Sequence, residues 1–559
     1  MIYRYLAATL ALLLATDLPA TGLPDLGEAS QATVSPQQER ELGLRIMAEI
    51  RADPSYLDDA EVAGYLTGLG TRLLLNSSES RPDQEFEFFA VKDPMINAFA
   101  LPGGFMGFNT GLILAAQSES ELAGVMAHEI AHVTQKHLAR MIAGQKYAFL
   151  SSLGAVALAV LASRSNPQAA QAVLIGSQAR QIQSQLDFTR EHEKEADRIG
   201  LNILVSAGLD PRGMSGFFER LQRAGRFRES SAPSYLRTHP ITHERIADID
   251  SRTQSLPYRQ IPDSLDFQLV RAKLRAAMDT PGNAVEFFDS ALRERRYRNE
   301  AVERYGLINA LLRDRKFMRA DKELMRLYEN LQSSVDDALQ NRSPALIAHS
   351  TYRVPLSSDT IEALAERARL ALGEVEAHGI FSGAPPDSVQ PDADGILENH
   401  RLGATIHITR KPALPSPMIE TLAAKVKLAL GETAEALDLY EAALQIYPQH
   451  RALVYDYAET LLHRKDPAAA LRFVNQQLQF LPDDTRLYRL QALCHGALGN
   501  TLMQHRAQAE IHVRQGDIPA AIEQLQIALK DEDGDFYQKS GAEARLRELR
   551  TLADAKKNE

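Results

Sequence analysis

Apolar residues recur at helical spacing from about Glu39 to about Arg252, with polar residues between them, and predict a run of amphipathic helices. One stretch departs from that period. Residues 86–113, FEFFAVKDPMINAFALPGGFMGFNTGLI, set short aromatic and β-favouring runs around Pro-Gly-Gly, which predicts a few strands joined by turns. From about Asp263 the helical period returns and runs to the end of the chain. The expected fold class is mainly α: a helical domain with a small β-sheet over residues 36–256, then an α-solenoid of helical hairpins over 258–559.

Within the second part a spacing repeats at Ala284/Phe288/Ala291, Ala320/Leu324/Leu327, Ala436/Tyr440/Ala443, Ala470/Val474/Gln477 and Ala521/Leu525/Ala528. Each is a small residue, a large one four later and, in most, an apolar one three after that. Pro448 and Pro482 stand 34 residues apart, each five positions past its triplet, which is the tetratricopeptide (TPR) period. The small residue lets paired helices approach closely, and the proline forces the turn to the next hairpin. Generic helical hairpins are the plainer alternative. Residues 376–417 interrupt the array with Pro, Gly and Asp and read as an irregular insertion.

A chain of 559 residues exceeds what one core usually organises. With a net charge of −11 it offers no broad basic surface, so nucleic acid is not an expected partner. Residues 1–20 place an arginine, an apolar run from Leu6 to Ala15 and a small-residue region ending near Ala20, the layout of a secretory signal peptide cleaved there. Cys494 is the only cysteine, which rules out an intramolecular disulfide. An exported chain without disulfides fits a bacterial periplasm.

Candidate chemistry centres on HEIAH, residues 128–132. On a helix His128 and His132 project from one face, and Glu129 stands beside any metal they hold. The surrounding residues are apolar, and unpaired imidazoles in a buried helix would be costly. A third ligand of the metzincin kind is excluded, because Gln135 and Leu138 occupy the required positions. From Val133 to Leu186 there is no Asp or Glu, so a carboxylate ligand must come from Asp187 or beyond. In DFTREHEKEADRIG, residues 187–200, Glu193 and Asp197 share a helix face, which suits a ligand with a second carboxylate orienting a ligand histidine.

HEIAH and EKEAD, preceded by NAFALPGGFMGFNTGL and followed by THPITHERI, together resemble the gluzincin zinc metallopeptidase family of HtpX, the CAAX prenyl proteases and the periplasmic BepA-type (beta-barrel assembly-enhancing) proteases. The motifs come in the family's order over residues 36–256, and the leader with the TPR-like array is closest to the BepA type. The resemblance implies one Zn2+ per chain held by His128, His132 and Glu193, with Glu129 as the base and Asp197 behind a ligand histidine. It further implies that Asn97, Ala98, Phe99 and Ala100 form an open strand edge to which an extended peptide adds by main-chain hydrogen bonds. His137 and His192 match no ligand position and are read as surface residues.

His239, in THPITHERI, has two expected roles: donating to the tetrahedral oxyanion, or occupying the fourth zinc position and holding the site shut. A structural histidine before Pro240 is the plain alternative. Residues 147–163 carry no charge and are read as a buried or lid-forming hairpin in preference to a membrane segment, with peripheral membrane contact left open. The function expected is that of a periplasmic zinc endopeptidase acting on unfolded or misassembled proteins in quality control of outer-membrane protein assembly. Its array would recruit clients or partners, the outer-membrane assembly machinery among them. The alternative is a chaperone or adaptor-like TPR protein with a latent metalloprotease site.

Overall fold

The computed structural model describes residues 35–77, 84–138, 190–226, 235–257, 261–340, 416–530 and 534–558. The expected leader, residues 147–163 and all but the last two residues of the 376–417 insertion lie outside them. Among the described residues no helix is long and apolar enough to cross a membrane.

The described residues open with α1 (Pro36–Ala52), where the Ser35 side chain accepts from the Gln38 N–H and the Gln38 side chain accepts from the Ser35 N–H. Helix α2 (Ala60–Leu75) is capped by Asp59. The strands β1 (Glu87–Val91), β2 (Ala98–Leu101) and β3 (Phe105–Asn109) form one sheet in the order β1-β3-β2, β1 parallel and β2 antiparallel to β3. Pro-Gly-Gly makes the hairpin: Gly103 and Gly104 take φ of 76° and 82°, a region glycine enters without steric cost. Among the described residues six helices complete this part: α3 (Thr110–Ala115), α4 (Glu119–Thr134), α5 (Arg190–Ser206), α6 (Arg212–Arg226), α7 (Tyr235–Thr238) and α8 (His243–Gln254).

The two edges of the sheet differ. Residues 55–57 run along β1, the Leu57 N–H donating to the Ala90 carbonyl at 3.1 Å and the Lys92 N–H to the Ser55 carbonyl at 2.7 Å. At β2 the Asn109 N–H donates to the Asn97 carbonyl at 3.0 Å, so by antiparallel alternation Ala98 and Ala100 turn their backbone groups outward. The Ile96 carbonyl, on that outward side, accepts from the Tyr235 N–H at 3.3 Å. The strand begins at Ala98, one residue later than expected, and Asn97 is a buried residue leading into it.

The second part is helical throughout its described length: α9 (Leu265–Met278), α10 (Pro281–Arg293), α11 (Glu300–Arg313), α12 (Phe317–Gln340), α13 (Pro417–Leu430), α14 (Thr433–Ile446), α15 (Arg451–His463), α16 (Pro467–Phe480), α17 (Thr485–Ala497), α18 (Thr501–Arg514), α19 (Ile518–Lys530) and α20 (Phe536–Asn558). All five small-large triplets are buried, on α10, α12, α14, α16 and α19. Pro448 and Pro482 each open the short turn between successive helices. The fold is thus mainly α with a small sheet, and a helical array follows.

The apolar core does not stop where the array begins. Val62 and Leu66 of α2, Phe108 of β3 and Ile130 of α4 share one buried cluster with Phe267 and Val270 of α9, Tyr305 of α11 and Ile419 of α13. Beneath that joint the Lys273 ammonium pairs with Asp59 at 2.6 Å and with Glu61, a carboxylate that also faces the Tyr305 hydroxyl.

Candidate metal centre

Helix α4 starts at Ser118, whose hydroxyl accepts from the Glu121 N–H, and carries His128, Glu129 and His132 in its buried last turns. Helix α5 crosses it closely at Gly200, where an added Cβ would meet the Ala127 carbonyl carbon and the His128 nitrogen at 3.1 Å. That approach brings Glu193 and Asp197, one turn apart on α5, against the histidines. Short α7 delivers His239 from a third side, its N–H donating to the Tyr235 carbonyl at 2.8 Å.

His128, His132, Glu193 and His239 each offer one ligand atom, and these atoms lie within 4.8 Å of one another. His128 Nε2 is 3.0 Å from His132 Nε2, 3.4 Å from His239 Nδ1 and 3.5 Å from Glu193 Oε2. Glu193 Oε1 is 3.4 Å from His132 Nε2 and 3.0 Å from His239 Nδ1. Ligand atoms on a tetrahedral zinc, with bonds of about 2.0–2.1 Å, stand about 3.3 Å apart. The chemistry of the donors agrees with the spacing. His128 Nδ1 lies 3.0 Å from the Asp197 carboxylate, which can only accept, so in its neutral form the ring would carry its proton there and present the Nε2 lone pair to another nitrogen. Lone pairs that close in a dry site call for a cation, and these residues fit zinc.

Burial alone would raise the Glu193 carboxyl, but His239, His128 and His132 around it hold it well below the ordinary carboxylate range. Burial pushes the Glu129 carboxyl upward, opposed by His239 and His128. Glu129 Oε1 lies 3.5 Å from His239 Nε2, so the His239 ring stands between the Glu193 and Glu129 carboxylates.

Arg245 of α8 is a residue that motif reasoning passed over. Its buried guanidinium donates twice to Asp197, at 2.6 and 2.7 Å, and pairs with Glu193 at 2.7 Å. Tyr235 was missed as well; its ring stacks on His239 with centroids 4.7 Å apart. A buried arginine needs carboxylates, and THPITHERI follows the acidic helix in sequence, but nothing local marks Arg245 as buried. The surface reading of His137 is corrected. It is fully buried, with Nδ1 2.8 Å from His132 Nδ1 and Nε2 3.0 Å from Glu195 Oε2. His192 is half-buried and stacks on His137, centroids 4.5 Å apart. The surface reading rested on His137 matching no ligand position in the motifs, whereas Lys136, with φ of 51°, turns the chain after Thr134 and packs His137 under His132.

Residues 62–253 match the sequence model of Peptidase family M48, and residues 427–494 match that of a tetratricopeptide repeat. The chain is similar to the beta-barrel assembly-enhancing protease of Escherichia coli (strain K12), 36% identical over 255 residues, 45% of this chain. That alignment spans about half of the relative's length, 52%. It is 33% identical to the protein of the same name from Yersinia pestis over 354 residues, 61% of this chain and 71% of the relative. A mitochondrial metalloendopeptidase OMA1 of Schizosaccharomyces pombe is 30% identical over 197 residues, 35% of this chain and 54% of the relative. With an M48 domain, a repeat match and a relative covered to that extent, the chain belongs to peptidase family M48.

Proposed function

We propose that the chain is a zinc-dependent endopeptidase, exported to the periplasm, that cleaves unfolded or misassembled proteins during outer-membrane protein assembly. The observation that carries the reading is the four-donor group, its ligand atoms within 4.8 Å of one another and His128 Nε2 3.0–3.5 Å from His132, His239 and Glu193, beside a buried carboxylate. His128, His132 and Glu193 would hold the metal. When bound, zinc supplies Lewis-acid polarisation of the peptide carbonyl and of the attacking water. Glu129 accepts the proton of that water and returns it to the departing amine, a task that its raised pKa favours. Asp197 and Arg245 fix the His128 ring and the Glu193 carboxylate. Ala98 and Ala100 offer outward backbone groups to an extended peptide, so recognition reads the main chain and tolerates many sequences. The names of the relatives and the repeat match support assembly-related clients and recruitment through the array.

A latent form of the same enzyme is favoured by His239. With its Nδ1 among the donors, the centre has four protein ligands, the arrangement of closed structural zinc sites. In this reading the resting protein holds clients, and cutting requires His239 to withdraw.

The test is zinc content and cleavage of an unfolded protein by wild type, Glu129→Gln and Glu193→Gln side by side. Glu129→Gln should keep zinc and lose turnover by about 10²–10⁴-fold. Glu193→Gln should lose the metal. Equal cleavage by wild type and Glu129→Gln would dismiss the mechanism.

A further inference from the structure

Each of the two α4 histidines turns one ring nitrogen toward the other donors and the other nitrogen outward. Behind His128 the outer partner is a carboxylate, Asp197, the commonest arrangement at metal sites. Behind His132 it is a third histidine. His137 Nδ1 lies 2.8 Å from His132 Nδ1, and beyond it His137 Nε2 lies 3.0 Å from Glu195 Oε2.

Hydrogen-bond chemistry gives this chain one direction. The Glu195 carboxylate accepts and does not donate, so His137 carries a hydrogen on Nε2. A neutral His137 then has a lone pair on Nδ1, which accepts from His132 Nδ1–H. His132 is left with a bare Nε2, the atom that faces His128 and Glu193. The surface carboxylate thus selects the tautomer of a buried donor two bonds away. The ring of His137 has its own support: His192, one residue before Glu193 on α5, stacks on it at 17° between planes. A single helix therefore carries Glu193 among the donors, Asp197 behind one histidine, and Glu195 with His192 behind the other.

The backbone has been shaped to make this contact. On a continuous helix residue 137 would lie five positions past His132, about 140° around the axis and facing away from it. Instead α4 ends at Thr134, and Lys136 takes the left-handed conformation at φ 51°, its N–H donating to the Val133 carbonyl at 3.0 Å. That conformation is disfavoured for a side-chain-bearing residue, and it is what folds His137 back beneath His132.

We infer that His137 is a positioning residue for the metal: it fixes the His132 tautomer and ring orientation, with Glu195 and His192 holding it in place. The inference rests on the zinc reading above and is separable from it. Outer partners of this kind contribute about 10–100-fold to metal affinity.

The experiment uses the full-length chain and zinc alone, with dissociation constants from competition with a chromophoric chelator. Wild type is measured first. Uptake of no zinc would fail the underlying reading and this inference with it. Given one zinc per wild-type chain, His137→Phe keeps the volume and the stack on His192 but removes both hydrogen bonds, and it should bind zinc about 10–100-fold more weakly. His137→Gln supplies a carbonyl for His132 and an amide N–H for Glu195 and should recover most of that loss, which a purely structural role would not produce. Wild-type affinity in His137→Phe, or no recovery in His137→Gln, overturns the proposal. Should His137→Phe fail to fold, Glu195→Ala gives the answer, because that side chain is partly exposed and its removal leaves the packing intact. Weaker zinc binding there supports the chain of bonds, and unchanged binding overturns it.

Discussion

Two clusters of buried or largely buried carboxylates among the described residues solve the same problem differently. At the metal centre Glu193 and Asp197 meet Arg245 and the rings of His128, His132 and His239, with ring nitrogens and carboxylate oxygens at tetrahedral spacing. At the joint between the peptidase domain and the array, Asp59 and Glu61 meet the Lys273 ammonium. Lys273 brings its own proton-bearing cation to the carboxylates. The neutral imidazoles bring lone pairs instead. Buried acid alone therefore says nothing about metal; the neighbours decide between a fixed ion pair that joins two parts and a site that accepts an ion from solution.

The sharpest way to break this contrast is at the joint. Lys273→Met leaves the buried Glu61 and the partly exposed Asp59 without their cation, at a cost of at most about 3–5 kcal/mol, the figure for a fully buried pair deprived of one partner. The urea midpoint of the full chain should fall accordingly, with zinc content of the folded protein unchanged. An unaltered midpoint would mean that the joint does not depend on the pair.

At the metal centre the comparable change is His239→Ala, whose sign separates its two candidate roles. If His239 occupies the fourth position, its removal raises hydrolysis and self-cleavage, and this is the expected outcome. If it stabilises the oxyanion, turnover falls by about 10²–10³-fold. An unchanged rate with zinc retained would leave only a structural role.

The smallest effect is on acidification. Burial lowers the pKa of His450 from its ordinary 6.5, while Glu61, Asp266 and Asp456 pull upward and Lys273 downward. A histidine depressed in the folded state contributes stability that is complete above about 6.5 and is lost as pH falls through the folded value. Thermal stability should therefore decline below pH 6.5, and His450→Gln should flatten that part of the profile. A slope identical in the variant would assign it to other groups.

Much of this was legible in the chain. HEIAH could be read because its three functional residues lie within little more than one helical turn, where spacing alone fixes their common face. Glu193 and Asp197 were narrowed to by the acid-free run before them, and the resemblance of HEIAH and EKEAD to the family selected them over Glu191 and Glu195. The triplets of the array were legible for the same local reason, each being set by one helix. Arg245, Tyr235 and the Lys273 pair were not, because what buries them comes from helices tens to hundreds of residues away. His137 was misread for a different reason: it matches no ligand position in the motifs, and its burial depends on one left-handed residue, Lys136, that turns the chain back after α4. Continuity of the core across the start of the array was equally hidden, since apolar periodicity tells which face is buried and not against what.

Tyr235 belongs to both halves of the site. Its N–H closes the outer edge of the sheet at Ile96, its carbonyl holds the His239 N–H, and its ring lies flat on the His239 ring. Any displacement of His239 large enough to leave Glu193 must carry that tyrosine or break away from it. Under the proposed reading the short helix would be an interlock: the latch on the centre and the stop at the end of the peptide track would be one piece, and a withdrawal of His239 that carries Tyr235 would free one more backbone carbonyl, that of Ile96.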